Sequence, residues 1–180
     1  MYHTLGCGIF LSDFYRRNSV SAFNARPFPS GSEISMIALL QRVNHARINV
    51  DGRCIASMDS GVLAFIAYER GDTPQKSARM LERISNYRIF SDEAGKMNLN
   101  VGDAGGNMML VPQFTLAANT DRGNRPSFDT AMPPADAAVM FAELLEMARA
   151  KNPDVQCGMF GADMKILLEN DGPVTFSLHV

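Results

Sequence analysis

Only two stretches of this chain carry the apolar period of a helix, and most of the patterned sequence around them alternates or runs apolar over strand-length intervals. The first helix is predicted from Pro74, with Thr73 as its cap and Ala78, Leu81 and Ile84 on its apolar face. The second is predicted from about Pro134 to Ala150. There Ala137, Phe141, Leu144, Leu145 and Ala148 form the stripe, and Pro153 lies beyond the end. Met36 to Gln41 reads as a strand apolar on both faces. Arg47–Val50 and Arg53–Ala56 flank Asp51-Gly52 as a hairpin. Gly61 introduces Val62 to Tyr68, a continuous apolar strand expected at the centre of a sheet. Further strands are predicted over Met108–Leu116, Val155–Met159 and Met164–Glu169, and, after a turn through Asn170-Asp171-Gly172, over Val174–His179. Two helices among many short, antiparallel-compatible strands predict an α+β domain built on antiparallel sheets. Nothing resembles a βαβ unit carrying a phosphate-binding GxGxxG.

The patterned region is residues 36–180, read as one domain. Residues 1–35 mix short apolar patches with Ser, Asn, Gly and Pro and show no sustained period. They are read as an extension or a misassigned start, because Met36 opens the core directly. The Cys7–Leu11 patch is too short to span a bilayer and precedes its charges, so neither a membrane anchor nor a secretory signal is expected. With 180 residues and 46% hydrophobic composition, one well-packed domain is the natural division. Three scattered cysteines and three scattered histidines offer neither a disulfide framework nor a metal-ligand spacing. No metal or cofactor is expected, and a cytoplasmic setting is the default. The formal charge of −2 supplies no global field for nucleic acid, although a local basic patch can still contact a short run of backbone.

Three segments could carry chemistry. Met109, Val111, Gln113 and Thr115 would share one face of the predicted strand, so Gln113 and Thr115 could present an amide and a hydroxyl to an ester; equally, they could be satisfied core polar groups. Asn170-Asp171-Gly172-Pro173 reads as a hairpin turn, with a glycine–proline bond for which the cis form costs only about 0.5–1 kcal/mol. Asp121 to Phe128 places Arg122, Arg125, a glycine and an aromatic in one loop that could contact phosphate or stack on a base, or simply be solvated. Arg88, Lys96 and Arg42 could extend that basic surface. No Gly-x-Ser-x-Gly elbow occurs, and no histidine stands near Thr115 or Ser127 in a familiar motif.

Taken in order, several segments resemble the bacterial and eukaryotic D-aminoacyl-tRNA deacylase family. They are Leu40-Gln41-Arg42-Val43, Tyr87-Arg88-Ile89-Phe90 with Gly95-Lys96-Met97-Asn98, Gln113-Phe114-Thr115-Leu116, and Gly123 to Phe128. Gly158 to Met164 and Asn170 to Thr175 complete the set. The resemblance spans residues 36–180 and implies a barrel-like α+β core. It also implies a homodimer with active sites at the interface, acting on the aminoacyl end of tRNA. In that family the glycine–proline bond is cis and enters the partner's active site, so Gly172 and Pro173 would form the chirality filter. Arg42 would hold the filter in place. Gln113 and Thr115 would belong to the catalytic pocket, Phe160, Met164 and Pro112 to its walls, and Arg122, Arg125, Lys96 and Arg88 to tRNA contacts.

The reaction so implied is proofreading: hydrolysis of the ester of D-aminoacyl-tRNA, with L-amino acids excluded by rigid backbone at the Cβ position and achiral glycine admitted. Thr115 has no recognisable activating base, which favours participation of the adjacent ribose 2′-hydroxyl over a threonine nucleophile. Pro112 departs from the serine usual in the family, Asn124 from a basic residue, and His179-Val180 from an acidic end. Two rivals stand: a nonenzymatic tRNA-binding or dimeric scaffold protein, which an assay with D-Tyr-tRNA separates, and a related editing enzyme for L-amino acids. The second requires the glycine–proline element to face away from the substrate.

Overall fold

A computed structural model of the chain describes residues 36–121 and 123–180. The expectations placed on residues 1–35 and on Arg122 lie outside the described residues. The backbone of the domain is β1 (Ile37–Val50), a 14-residue strand made of two segments that the sequence suggested separately. Along one edge it pairs with β2 (Arg53–Met58) and β3 (Gly61–Ala67), both antiparallel. Ala46 faces Met58 and Val43 faces Gly61, so β2 and β3 continue one line with a bend at Asp59-Ser60. The Asp51-Gly52 turn closes the expected hairpin with both residues at positive φ, 48° and 75°, the backbone that two-residue hairpins require.

Beyond β3 the sheet turns parallel. β6 (Asn107–Pro112) pairs with β3, and β7 (Gln156–Cys157) pairs with β6. The chain reaches β6 after helix α1 (Pro74–Asn86) and reaches β7 after helix α2 (Pro134–Lys151). The sheet is therefore mixed, because a parallel neighbour needs a long crossover and the two helices supply one each. β8 (Met164–His179) runs antiparallel along the free edge of β1, and β2 comes alongside β7. The result is the expected α+β domain, a nearly closed barrel with two main helices. β4 (Phe90–Ser91) and β5 (Met97–Leu99) form a separate small hairpin.

Alternation explains the layering. Val43, Ala46, Ile48, Leu63, Met109 and Val111 point into the barrel with Ala56 and Met58, and Met164, Ile166 and Leu168 pack against them. The opposite register, Ala38, Leu40, Val62, Ala64 and Ile66, is equally buried, and the two helices pack together. Each fully buried Leu, Ile or Met adds about 1.5–3 kcal/mol. Helix α1 starts where predicted, with the Thr73 side chain accepting from Lys76 N. Its buried face is Ser77, Met80, Leu81 and Ile84, and Ala78 is exposed, one position off the expected stripe. Helix α2 buries all five residues of its predicted stripe. Among the described residues, no helix is long and apolar enough to cross a membrane.

Candidate active site

The parallel strands β3, β6 and β7 end on the same side, and a cavity of about 650 Å³ opens there. Sites outside the carboxyl ends of parallel strands are a general consequence of such sheets, because the connecting loops must diverge there. The segment after β3 gives Arg70, the end of β6 gives Pro112, Gln113 and Phe114, and the segment after β7 gives Phe160 to Asp163. Met164 and Ile166 of β8, Phe128, and Ala131 to Pro134 with Ala137 complete the wall. The surface is largely apolar, with a few polar groups converging on it, as in most small-molecule pockets. Phe114 is 58% exposed and meets Phe128 edge-on at 5.0 Å, and Phe160 lies 6.5 Å from Phe141.

Gln113 and Thr115 do not lie on a strand. β6 stops at Pro112, Gln113 N donates to Ile66 O at 2.7 Å, and Phe114–Ala117 form a 3-10 turn. The turn replaces alternation, so Gln113 and Thr115 come together by curvature, and the Gln113 side-chain amide donates to Thr115 Oγ1. An amide cannot take a proton from that hydroxyl, so this contact gives Thr115 no activating base. Pro112 sits at the last ladder position, opposite Ile66. Its missing N–H falls on the side of β7, where the pairing runs out after Gly158 N donates to Leu110 O at 2.8 Å. A Cβ on Gly158 would stand 3.1 Å from Pro112 Cδ and 2.9 Å from Met164 Sδ, so the bare glycine lets those side chains close on each other. Met159 N also donates to Met164 Sδ at 3.3 Å.

The Asn170-Asp171-Gly172-Pro173 segment is not a hairpin turn. Residues on both sides of it pair with β1, so the chain does not reverse. The pairing passes from Gln41–Thr175 to Val43–Asn170 and His45–Glu169, so Arg42 to Asn44 lie opposite a longer run, Asn170 to Val174, which bulges outward. The Gly172-Pro173 bond is cis, as the resemblance implied. Arg42 reaches the base of the bulge. Its Nε lies 2.7 Å from Asp171 Oδ2, a charge contact without the alignment of a hydrogen bond. Its Nη1 donates to Ile89 O, and its guanidinium stands 6.0 Å from the Phe90 ring centre. With its amide nitrogen turned inward, Asn170 donates to the carbonyls of Val174 and Arg42, each at 3.3 Å.

One chain thus brings Pro112, Gln113, Phe160 and Met164 together in the cleft, with Thr115 beside Gln113. It does not bring Gly172 and Pro173 there; they are exposed on the bulge with Arg42 beneath. Arg125 is exposed in the loop that Asn119 and Ser127 close by two backbone bonds of 2.8 and 3.0 Å, next to Phe128 of the cleft. Arg88 and Lys96 are exposed around the β4–β5 hairpin, on the Arg42 side. Sequence reasoning missed Arg70, Phe128 as a wall, and the Ala131–Pro134 segment. A charged residue straight after the central apolar strand was the available signal for Arg70.

The β4–β5 hairpin depends on Asp92. Its carboxylate accepts from Asn98 Nδ2 at 2.7 Å and from the amides of Lys96 and Ala94, each at 2.9 Å. These bonds, Asn98 first, hold its pKa below the ordinary carboxylate value. Because the folded pKa is depressed, the stabilisation is present above the unfolded value of about 3.9 and is lost as pH falls through the folded value. In an acid titration followed by NMR, the amides of Ala94 and Lys96 should shift with a midpoint below about 3.9. A midpoint at or above that value would contradict this role.

A nearly closed mixed barrel with an aromatic-walled cleft at its parallel strand ends defines an α+β domain with a pocket of small-molecule size. Residues 39–179 match the model of the D-Tyr-tRNA(Tyr) deacylase family. A D-aminoacyl-tRNA deacylase of Pseudomonas entomophila is 52% identical over 145 residues, 81% of this chain and all of the relative. That of Dichelobacter nodosus is 50% identical over the same length and also fully covered. Among solved structures, the c-Myc DNA Unwinding Element Binding Protein superposes with a TM-score of 0.75 at 34% identity, over 79% of this chain and 97% of that one. A probable eukaryotic D-amino acid tRNA deacylase shares the fold, with a TM-score of 0.71 at 15% identity, over 81% of this chain and all of the other. The chain belongs to the D-Tyr-tRNA(Tyr) deacylase family.

Proposed function

We propose that this chain hydrolyses the ester joining a D-amino acid, or glycine, to the terminal ribose of tRNA, and rejects L-aminoacyl-tRNA by steric exclusion. The observation that carries this reading is a division of labour in one chain. An apolar cleft with Gln113 and Thr115 at its edge has no filter of its own, and an exposed Gly172-Pro173 bulge has no cleft of its own. A homodimer in which each bulge enters the other subunit's cleft gives each part its counterpart. The exposed Phe114 ring at the mouth is consistent with such an interface. Catalysis is placed within residues 36–180, and the enzyme in the cytoplasm, where aminoacyl-tRNA is used.

In this reading Phe160, Met164 and Pro112 receive the terminal adenosine. Gln113 and Thr115 orient the ester for attack. The ribose 2′-hydroxyl next to the ester supplies the reactive oxygen chemistry that no side chain here is set up to supply. Arg42 fixes the filter, and Arg125, Arg122, Arg88 and Lys96 contact the phosphate backbone of the tRNA. Thr115→Val keeps the shape and deletes the hydroxyl. Single-turnover hydrolysis of D-Tyr-tRNA should fall by no more than about tenfold, the scale of one hydrogen bond. A fall to the uncatalysed rate, with tRNA binding and fold intact, would instead make Thr115 an essential chemical participant.

A further inference from the structure

Arg70 is the only cation that lines the cleft among the described residues, and its guanidinium has no side-chain hydrogen bond or ion pair there. The one carboxylate in the same wall, Asp163, is engaged by Lys165 at 2.8 Å. The positive charge of Arg70 is therefore not cancelled from within the cleft. An arginine left this way at the edge of an apolar pocket favours an anion, and its planar fork suits the two non-bridging oxygens of a phosphate.

The backbone that carries Arg70 is held on two sides. Arg70 N donates to Thr130 O at 2.8 Å, Met132 N donates to Tyr68 O at 3.0 Å, and Glu69 bridges Ala131. On the other side, buried Asp72 accepts from Glu69 N at 2.7 Å and meets Lys76 Nζ at 3.2 Å. Gly71, at φ +88°, makes the tight turn between them, in a region open to glycine. The side chain is exposed and the platform beneath it is not free to drift, so a bound anion need not order the loop first.

We propose that Arg70 binds the phosphodiester linking the terminal adenosine of the tRNA substrate to the nucleotide before it. The proposal rests on the deacylase reading above and deepens it. The reacting ester and the 5′ phosphate leave the same ribose at different positions. A nucleoside with its base on the aromatic walls and its ester at Gln113 must send its phosphate elsewhere, and Arg70 is the cation the wall offers. Arg70 is thus a substrate-binding residue that counts nucleotides: it acts on substrates carrying at least one phosphate and is indifferent to a bare nucleoside ester.

The test compares D-tyrosyl-adenosine, which has no phosphate, with D-tyrosyl-CpA, which has one, using the full chain and its Arg70→Gln and Arg70→Lys variants. The native enzyme should favour the dinucleotide by about tenfold in kcat/KM, the scale of one partly solvated charge-assisted contact. Arg70→Gln should erase most of that preference, with a markedly larger loss on D-tyrosyl-CpA than on D-tyrosyl-adenosine, and Arg70→Lys should restore part of it. On D-Tyr-tRNA, Arg70→Gln should raise KM at constant kcat and flatten the logarithmic salt dependence by about 0.7, the value for one single-strand phosphate. Equal loss on both small substrates, or an unchanged KM and salt slope on tRNA, would overturn the role of Arg70 alone. A native chain that hydrolyses no D-tyrosyl substrate would overturn the deacylase reading itself.

Discussion

Gly172→Ala should leave the domain as stable as the native chain and reduce hydrolysis of D-Tyr-tRNA by about a hundredfold or more. Within one chain, among the described residues, an added Cβ would meet only the end of the Asn170 side-chain amide, at 3.2 Å, the far end of a short side chain. Gly172 is not among the positive-φ glycines, so an alanine strains nothing there. Thermal unfolding should therefore shift by no more than the few tenths of a kcal/mol typical of a surface change. Across the proposed dimer, however, the same methyl group enters the space reserved for substrate, and misplacing reacting groups by about 1 Å costs about a hundredfold. Native-like activity in a folded variant would remove Gly172 from the filter. Loss of folding along with activity would show that the glycine serves its own chain.

Gly61→Ala should have the opposite profile, with the fold itself lost. A Cβ at this position would lie 2.0 Å from the backbone oxygen of Asn107 and within 2.9 Å of its nitrogen. These are main-chain atoms of β6, the partner of β3, and Gly61 pairs with Asn107 at the start of that ladder. No rotamer can relieve the clash, so the strands must separate where β3 is central and buried. Overpacking a core typically costs about 1–3 kcal/mol and more when the backbone must move, a large part of the stability of a domain this size. Little soluble folded protein, or a melting temperature lowered by 10 °C or more, is the expected result. An unchanged melting temperature would mean that β3 and β6 do not approach as described. Together the two glycines separate a residue that serves packing from one that serves a partner.

Much of the fold was legible because hydrophobic period, cap and turn chemistry agreed. Thr73-Pro74 opened a helix, Asp51-Gly52 closed a hairpin, and the unbroken apolar run after Gly61 became the central strand. The errors share one physical cause: local pattern does not report which strand a segment will pair with. Val62–Tyr68 and Met108–Val111 are apolar on both faces, which suits a buried parallel pair as well as an antiparallel one. Asn170 to Pro173 has the composition of a reversal, yet pairing to β1 on both sides turns it into a bulge. Alternation through Gln113 and Thr115 continued beyond the point where Pro112 ended the ladder, and a 3-10 turn joined them by another route. The site was legible chiefly through resemblance, since neither Phe160 nor Met164 carries a chemical signature of its own. Arg70 belongs to no quoted motif and became visible only when β3 and β6 were seen to end at one cleft.

Side-by-side hydrolysis of D-Tyr-tRNA and L-Tyr-tRNA by the native protein decides whether this deacylase selects its substrate by chirality. D-tyrosine should be released rapidly and, under the same conditions, L-tyrosine should be lost no faster than in buffer. Equal hydrolysis of the two enantiomers, or preference for the L-ester, would contradict that selection.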